Sequence, residues 1–124
     1  MKKHLIILVT FMLMLGGCAS QKTIYYWGDY SDAAYQFEKE PTEKTLIAYK
    51  TELLDIAKNA SSKNKKVPPG IYVELAKLEL EANNLQLAKQ YLLKEQELFV
   101  ESEVLVAALL KLINEKESVN VSQR

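Results

Sequence analysis

The chain has 124 residues, of which 26% are charged and 48% apolar; 16 Lys/Arg balance 16 Asp/Glu at a formal net charge of zero. That length accommodates one domain. From Cys18 onward the chain keeps 14 Lys/Arg, since Lys2 and Lys3 fall before it, and all 16 Asp/Glu, with no His, one Cys and two Gly. This excludes a basic field for nucleic acid, Ser-His-Asp or Cys-His catalysis, a His-ligated metal and a glycine-rich phosphate loop.

Met1–His4 is positively charged and Leu5–Leu15 (LIILVTFMLML) is an almost unbroken apolar run. A bilayer-spanning helix needs about 20 apolar residues, close to twice that length. Residues 1–17 therefore read as a secretory signal peptide, the alternative being a short buried helix that happens to be terminal. Leu15-Gly16-Gly17-Cys18 resembles the bacterial lipobox: a Leu, two small residues, then Cys. The resemblance implies a diacylglycerol on the Cys18 sulfur, cleavage before Cys18 and acylation of the new amino terminus with a palmitate-class chain. Each buried CH₂ contributes about 0.8 kcal/mol, and a second chain already makes anchoring stable. The next residues are Ala19 and Ser20, not the Asp that signals inner-membrane retention in Gram-negative lipoproteins. The expected place is the periplasmic face of the outer membrane, with surface exposure left open. A lone Cys has no intramolecular disulfide partner.

Residues 18–30 hold the Cys, a short tether and an aromatic segment. The spacer 19–23 (ASQKT) reaches at most about 17 Å, so the folded body is expected close to the headgroups. Residues 24–30 (IYYWGDY) place Tyr25, Tyr26, Trp27 and Tyr30 around Gly28. Either they pack on the helical body with their polar atoms satisfied, or they form a contact surface for a partner or for the bilayer interface, where Trp and Tyr are favoured.

Residues 31–115 predict an all-α domain of about five helices. Ser31 or Asp32 is the expected N-cap of the first, which Pro41 stops near Glu40. Thr42 is the expected cap of the second, with Glu43 in its first turn; Leu46, Tyr49, Leu53, Ile56 and Ala57 recur at steps of three and four to about Asn59. Asn59–Lys66 (NASSKNKK) is the one linker. Its Lys63, Lys65 and Lys66 are either solvated or in contact with anionic headgroups. Val67-Pro68-Pro69-Gly70 restarts the chain, since proline suits a helix's first turn. The third helix runs to Ala82 with a stripe of Ile71, Leu75, Leu78 and Ala82, widened by Tyr72 and Ala76. Asn83-Asn84 marks a turn. The fourth runs from Leu85 to Val100 on Leu85, Ala88, Leu92 and Phe99, with Tyr91 beside them. Ser102 is the expected cap of the fifth, 103–115, built on Val104, Leu105, Ala108, Leu109 and Leu112. Residues 116–124 read as a frayed polar tail.

The third and fourth helices resemble one tetratricopeptide hairpin, whose period is about 34 residues. Tyr72, Leu75 and Ala76 take the first helix's positions, and Leu85, Ala88 and Leu92 those of the second. Glu79 stands where the repeat has Tyr, Glu95 where a small residue packs between helices, and Val100 where Pro ends the unit. One unit cannot bury both its faces, so the other helices must flank it. The repeat resemblance implies that Val73, Lys77, Leu80 and Glu81 line an inner surface. Val73 and Leu80 are apolar yet lie off the stripe, so they meet either another helix or a protein partner.

The lipobox, Tyr25-Tyr26-Trp27-Gly28-Asp29-Tyr30-Ser31, Val67-Pro68-Pro69-Gly70-Ile71-Tyr72 and the hairpin together resemble a small family of uncharacterised Gram-negative lipoproteins. Its members are often encoded beside a lipoprotein similar to the curli secretion channel and beside a second small lipoprotein. The resemblance implies a place in an envelope assembly, with a curli-secretion-channel-like lipoprotein as a candidate partner, and implies no chemistry.

No catalytic residue, metal ligand or cofactor is expected. Glu79/Glu81, Glu95/Glu97 and Glu101/Glu103 are spaced by two, which points their carboxylates apart on a helix. Glu74–Lys77, Asp55–Lys58 and Lys94–Glu97 are spaced by three and mark a solvated face. Two functions stay in view: a non-catalytic protein-interaction or assembly module anchored in the envelope, and a lipoprotein that binds lipid or envelope glycan through Tyr25–Tyr30 and Lys63–Lys66.

Overall fold

A computed structural model describes residues 23–122. The expected signal peptide, Cys18 and the first part of the tether lie outside the described residues, as does the chain beyond Ser122. The described part is all-α, as its 3.6-residue periodicity predicts: α1 Tyr30–Lys39, α2 Glu43–Asn59, α3 Ile71–Glu81, α4 Leu85–Leu98 and α5 Glu103–Ser122, with 3₁₀ turns at Ser61–Lys63 and Val100–Ser102. Each helix packs chiefly on its neighbours in sequence, α3 on α4 most extensively.

The helix boundaries have local causes. Thr42 and Thr45 form a reciprocal capping box at the start of α2: Thr45 N–H donates to Thr42 Oγ1 at 3.3 Å, and Thr42 N–H to Thr45 Oγ1 at 3.0 Å. Asn83 takes φ 62° in the α3–α4 turn, a conformation its side chain tolerates better than most. α1 begins at Tyr30, before the expected caps Ser31 and Asp32. Glu52 on α2 accepts the Asp29 N–H at 2.7 Å, and Gly28 at φ 46° turns the chain into the helix. Ser102 does not cap α5. Its hydroxyl donates back to the Phe99 carbonyl at 2.7 Å and closes the 3₁₀ turn.

Two apolar clusters form the core. Tyr49, Leu53, Ile56, Ile71, Leu75 and Leu78 join α2 to α3. Ala76, Leu85, Ala88, Leu92, Val106 and Ile113 join α3, α4 and α5. Tyr91 packs against both, and its ring stacks on Tyr72 at 6.1 Å between centroids. α3 is thus enclosed on several sides, with six of its residues buried.

Two expectations are corrected in α5. Residues 116–122 are not a frayed tail but continue the helix. Glu117 holds Lys89 at 2.7 Å and Gln86 at 2.7 Å, both from α4, and the Lys116 ammonium donates to the Leu80 carbonyl at 3.2 Å. The stripe expected for this helix is also mostly the outer one: of its five residues only Leu109 packs on the core. Val106 and Ile113 are buried, with Leu109 and Leu110 beside them, whereas Val104, Leu105, Ala108 and Leu112 are exposed. Residues 104–110 are apolar without interruption, so periodicity there cannot choose a face. The tertiary contact with the Ala76–Ala88 cluster does.

Candidate interaction surfaces

The aromatic segment and the lysine linker, far apart in sequence, are neighbours. Tyr25 and Lys66 make an isolated parallel bridge: Tyr26 N–H donates to the Lys66 carbonyl at 2.9 Å, and Lys66 N–H to the Ile24 carbonyl at 2.8 Å. Tyr26 O–H donates to Asp55 Oδ2 at 3.1 Å, and the Asp55 carboxylate holds the phenol above its usual pKa. Tyr26 and Tyr30 pack against the α2–α3 cluster, and the Tyr30 ring lies 6.1 Å from that of Tyr49. Burial, reinforced by Tyr30 and Glu74, raises the Tyr49 phenol far above its ordinary range. Packing on the body therefore describes Tyr26 and Tyr30, while Trp27 stays 42% exposed. The linker is ordered by the 3₁₀ turn, by Asn64 at φ 53° and by the Ala60 carbonyl, which accepts from Lys63 and Lys65 N–H groups. Lys63, Lys65 and Lys66 are exposed.

This junction borders a groove of about 510 Å³. Ala57, Ala60, Val67, Leu98 and Phe99 supply its apolar lining, and Tyr25, Ser61, Lys65, Lys66 and Glu101 its polar lining. Three separated stretches of chain thus meet at one concavity.

The inner positions of α3 divide. Val73 is buried, and Leu80 packs against the α3–α4–α5 cluster, with the Lys116 ammonium of α5 at its carbonyl. The helical body takes up Val73 and covers part of Leu80. Lys77 and Glu81 are exposed; Lys77 reaches Glu74 at 3.5 Å. Apolar side chains stay exposed along the outer face of α5, where Val104 is 82% exposed, Leu105 50%, Leu112 54% and Val119 53%, and also elsewhere, at Ile24, Ile47, Leu93 and Val100. Leu105, Leu112 and Val119 repeat every seven residues, with Ala108 between the first two, a seam suited to another helix.

Two buried carboxylates escaped the sequence reading as a site. Glu79 accepts from Lys50 Nζ at 2.6 Å and from Asn84 Nδ2 at 2.8 Å. Burial alone would raise its pKa, but Lys50 and Asn84 hold it below the ordinary value. Glu95 accepts the Gly70 N–H at 2.6 Å. Burial pushes its carboxyl above the ordinary value, against the Gly70, Tyr72 and Val73 N–H groups, and Oε2 has no partner among the described residues. Both stand where the hairpin departs from the tetratricopeptide pattern. Glu79 ties α3 to α2, and Glu95 caps α3 from α4. Neither lines the groove. Among the described residues no three His, Cys, Asp or Glu side chains gather to hold a metal, and no helix is long and apolar enough to cross a membrane.

The model of a family described as a domain of unknown function, DUF4810, matches residues 24–109, from the aromatic segment to the middle of α5. No curated protein and no solved structure matches the chain.

Proposed function

The chain belongs to the DUF4810 family, and from that premise we propose that it is a lipid-anchored, non-catalytic interaction module of the cell envelope. The observation that carries this reading is the outer face of α5. In a stack of helices each apolar face is normally covered by the next helix. Here Val104, Leu105, Leu112 and Val119 are half exposed or more, and apolar area in a contiguous seam marks a contact site. The occupant such a seam fits is an amphipathic helix of an envelope protein. The likeness to lipoproteins encoded beside a curli-secretion-channel-like protein makes that channel-like lipoprotein the first partner to test. The lipobox supports anchoring through Cys18, and Ala19 supports the periplasmic face of the outer membrane.

The test is in-cell photocrosslinking with the reactive residue placed in turn at Leu105, Leu112, Val119, Lys77 and Glu81. The reading expects one dominant protein adduct from the three α5 positions, weaker or none from Lys77 and Glu81, and its loss in Cys18→Ala. Equal or absent adducts at all five positions reject the α5 surface. The alternative function, lipid or glycan binding at the membrane, draws on a different place: the groove beside Tyr25 and Lys66.

A further inference from the structure

Four observations meet at one end of the molecule. The groove is apolar over Ala57, Ala60, Val67 and Phe99 and carries two lysines, Lys65 and Lys66, against the single carboxylate of Glu101. Apolar side chains next to it project into solvent: Ile24 is 61% exposed, Leu98 45% and Val100 76%. Lys63, Lys65 and Lys66 make no ion pair among the described residues. And the chain enters the fold here, since Tyr25 lines the groove and Ile24 is hydrogen-bonded to Lys66. Cys18 is seven residues before Tyr25, at most about 24 Å of extended chain.

Exposed apolar residues beside unpaired lysines that outnumber the one carboxylate match the boundary between acyl chains and anionic headgroups. The volume lies in the range of pockets that hold small ligands. A zwitterionic headgroup brings its own cation toward the lysines; an anionic one brings only the phosphate. We propose that this groove seats one anionic phospholipid of the membrane, its phosphate on Lys65 and Lys66 and an acyl chain against Ala57, Ala60, Val67 and Phe99. The proposal deepens the membrane side of the preceding reading and rests on its anchor only for proximity. Bound this way, the body is oriented on the bilayer as well as tethered to it, and α5 is turned in a defined direction for its partner.

The acylated full chain is incorporated into phosphatidylethanolamine–phosphatidylglycerol vesicles containing phosphatidylglycerol with a photoreactive acyl chain, and adducts are mapped by mass spectrometry. The expected adducts fall on the segments holding Val67 and Leu98–Phe99. Each lysine near an anionic surface is worth roughly fivefold in binding, so Lys65→Glu with Lys66→Glu should cut them at least tenfold, with circular dichroism unchanged. Lys77→Glu should not. The proposal is overturned by adducts elsewhere, by adducts indifferent to the double reversal, by equal labelling from a photoreactive phosphatidylcholine, or by labelling displaced by an envelope protein that occupies the groove.

A second arm needs no anchor. Dihexanoyl-phosphatidylglycerol below its micellar concentration should perturb the Val67 and Phe99 amide signals of the full chain, and the phosphatidylcholine analogue should not. An unacylated Cys18 in the same preparation overturns the anchor but leaves this arm to decide the groove. Acylation without perturbation or adducts overturns the groove alone.

Discussion

The Lys50 ammonium lies 2.6 Å from Glu79 Oε1, and the two ends of this pair live in different media: the Lys50 side chain is 36% exposed, that of Glu79 2%. Breaking such a pair from the cationic end leaves a buried carboxylate with one neutral donor. A fully buried pair broken this way costs about 3–5 kcal/mol. Because Lys50 is partly solvated, Lys50→Met should cost about 2 kcal/mol in urea denaturation, and Lys50→Met with Glu79→Leu should recover most of it. Glu79 is held below its ordinary pKa. The pair's contribution is therefore complete above the unfolded value of about 4.3 and is lost as pH falls through the lower folded value. The wild-type urea midpoint should drop over that interval, and the double variant should lack that component.

Glu95 carries the opposite sign. Its folded pKa is raised, so the folded chain takes up the proton first. Its contribution favours folding at low pH and is lost as pH climbs from about 4.3 toward the raised folded value. Glu95→Gln keeps an acceptor for the Gly70 N–H, removes the charge, and should stay within about 1 kcal/mol of wild type at neutral pH. Glu95→Ala strips the start of α3 of its acceptor and should cost about 2–3 kcal/mol. Equal midpoints for the two variants would show that the cap contributes nothing.

Gly28 is the hinge of the aromatic segment. Its φ is 46°, and an added Cβ would collide with the Glu52 carboxylate that holds Asp29. Gly28→Ala should cost about 1–2 kcal/mol. It should also speed hydrogen exchange at the Tyr26 and Lys66 amides, the two donors of the bridge.

The two faces of α5 should separate cleanly. Leu105→Asp and Leu112→Asp replace half-exposed side chains and should each shift stability by less than about 1 kcal/mol. Ile113→Ala empties a buried site and should cost about 2–4 kcal/mol. Thermal melts check this, and the first two variants should lose the protein adduct while keeping the fold.

The helix order was legible because α2, α3 and α4 each carry one apolar stripe interrupted by polar residues, and because Pro41, Pro68-Pro69 and Asn83-Asn84 punctuate the chain. The face of α5 was not, since an unbroken apolar stretch fits either orientation until α3 and α4 are in place. The junction of Tyr25 with Lys66 rests on two backbone hydrogen bonds between segments on opposite sides of α1 and α2 in the chain, which no periodicity encodes. Glu79 and Glu95 were legible only as misfits to a repeat. A charged residue at a core position was the signal, and the meaning of each came from partners at Lys50 and Gly70 that sequence spacing does not reveal.

The Tyr25–Lys66 bridge has a mechanical consequence. A load drawn on the N-terminal end of the described chain meets the two hydrogen bonds between Ile24–Tyr26 and Lys66 before it meets any helix. Release of residues 24 and 25 would lengthen the leash by at most about 7 Å at the reach of an extended chain. The next resistance is the Glu52 grip on Asp29 and the rings of Tyr26 and Tyr30 in the core. The bridge acts as a weak link in series with a strong one, so a sudden tug is absorbed as extension at the tether and spares the α2–α3 core.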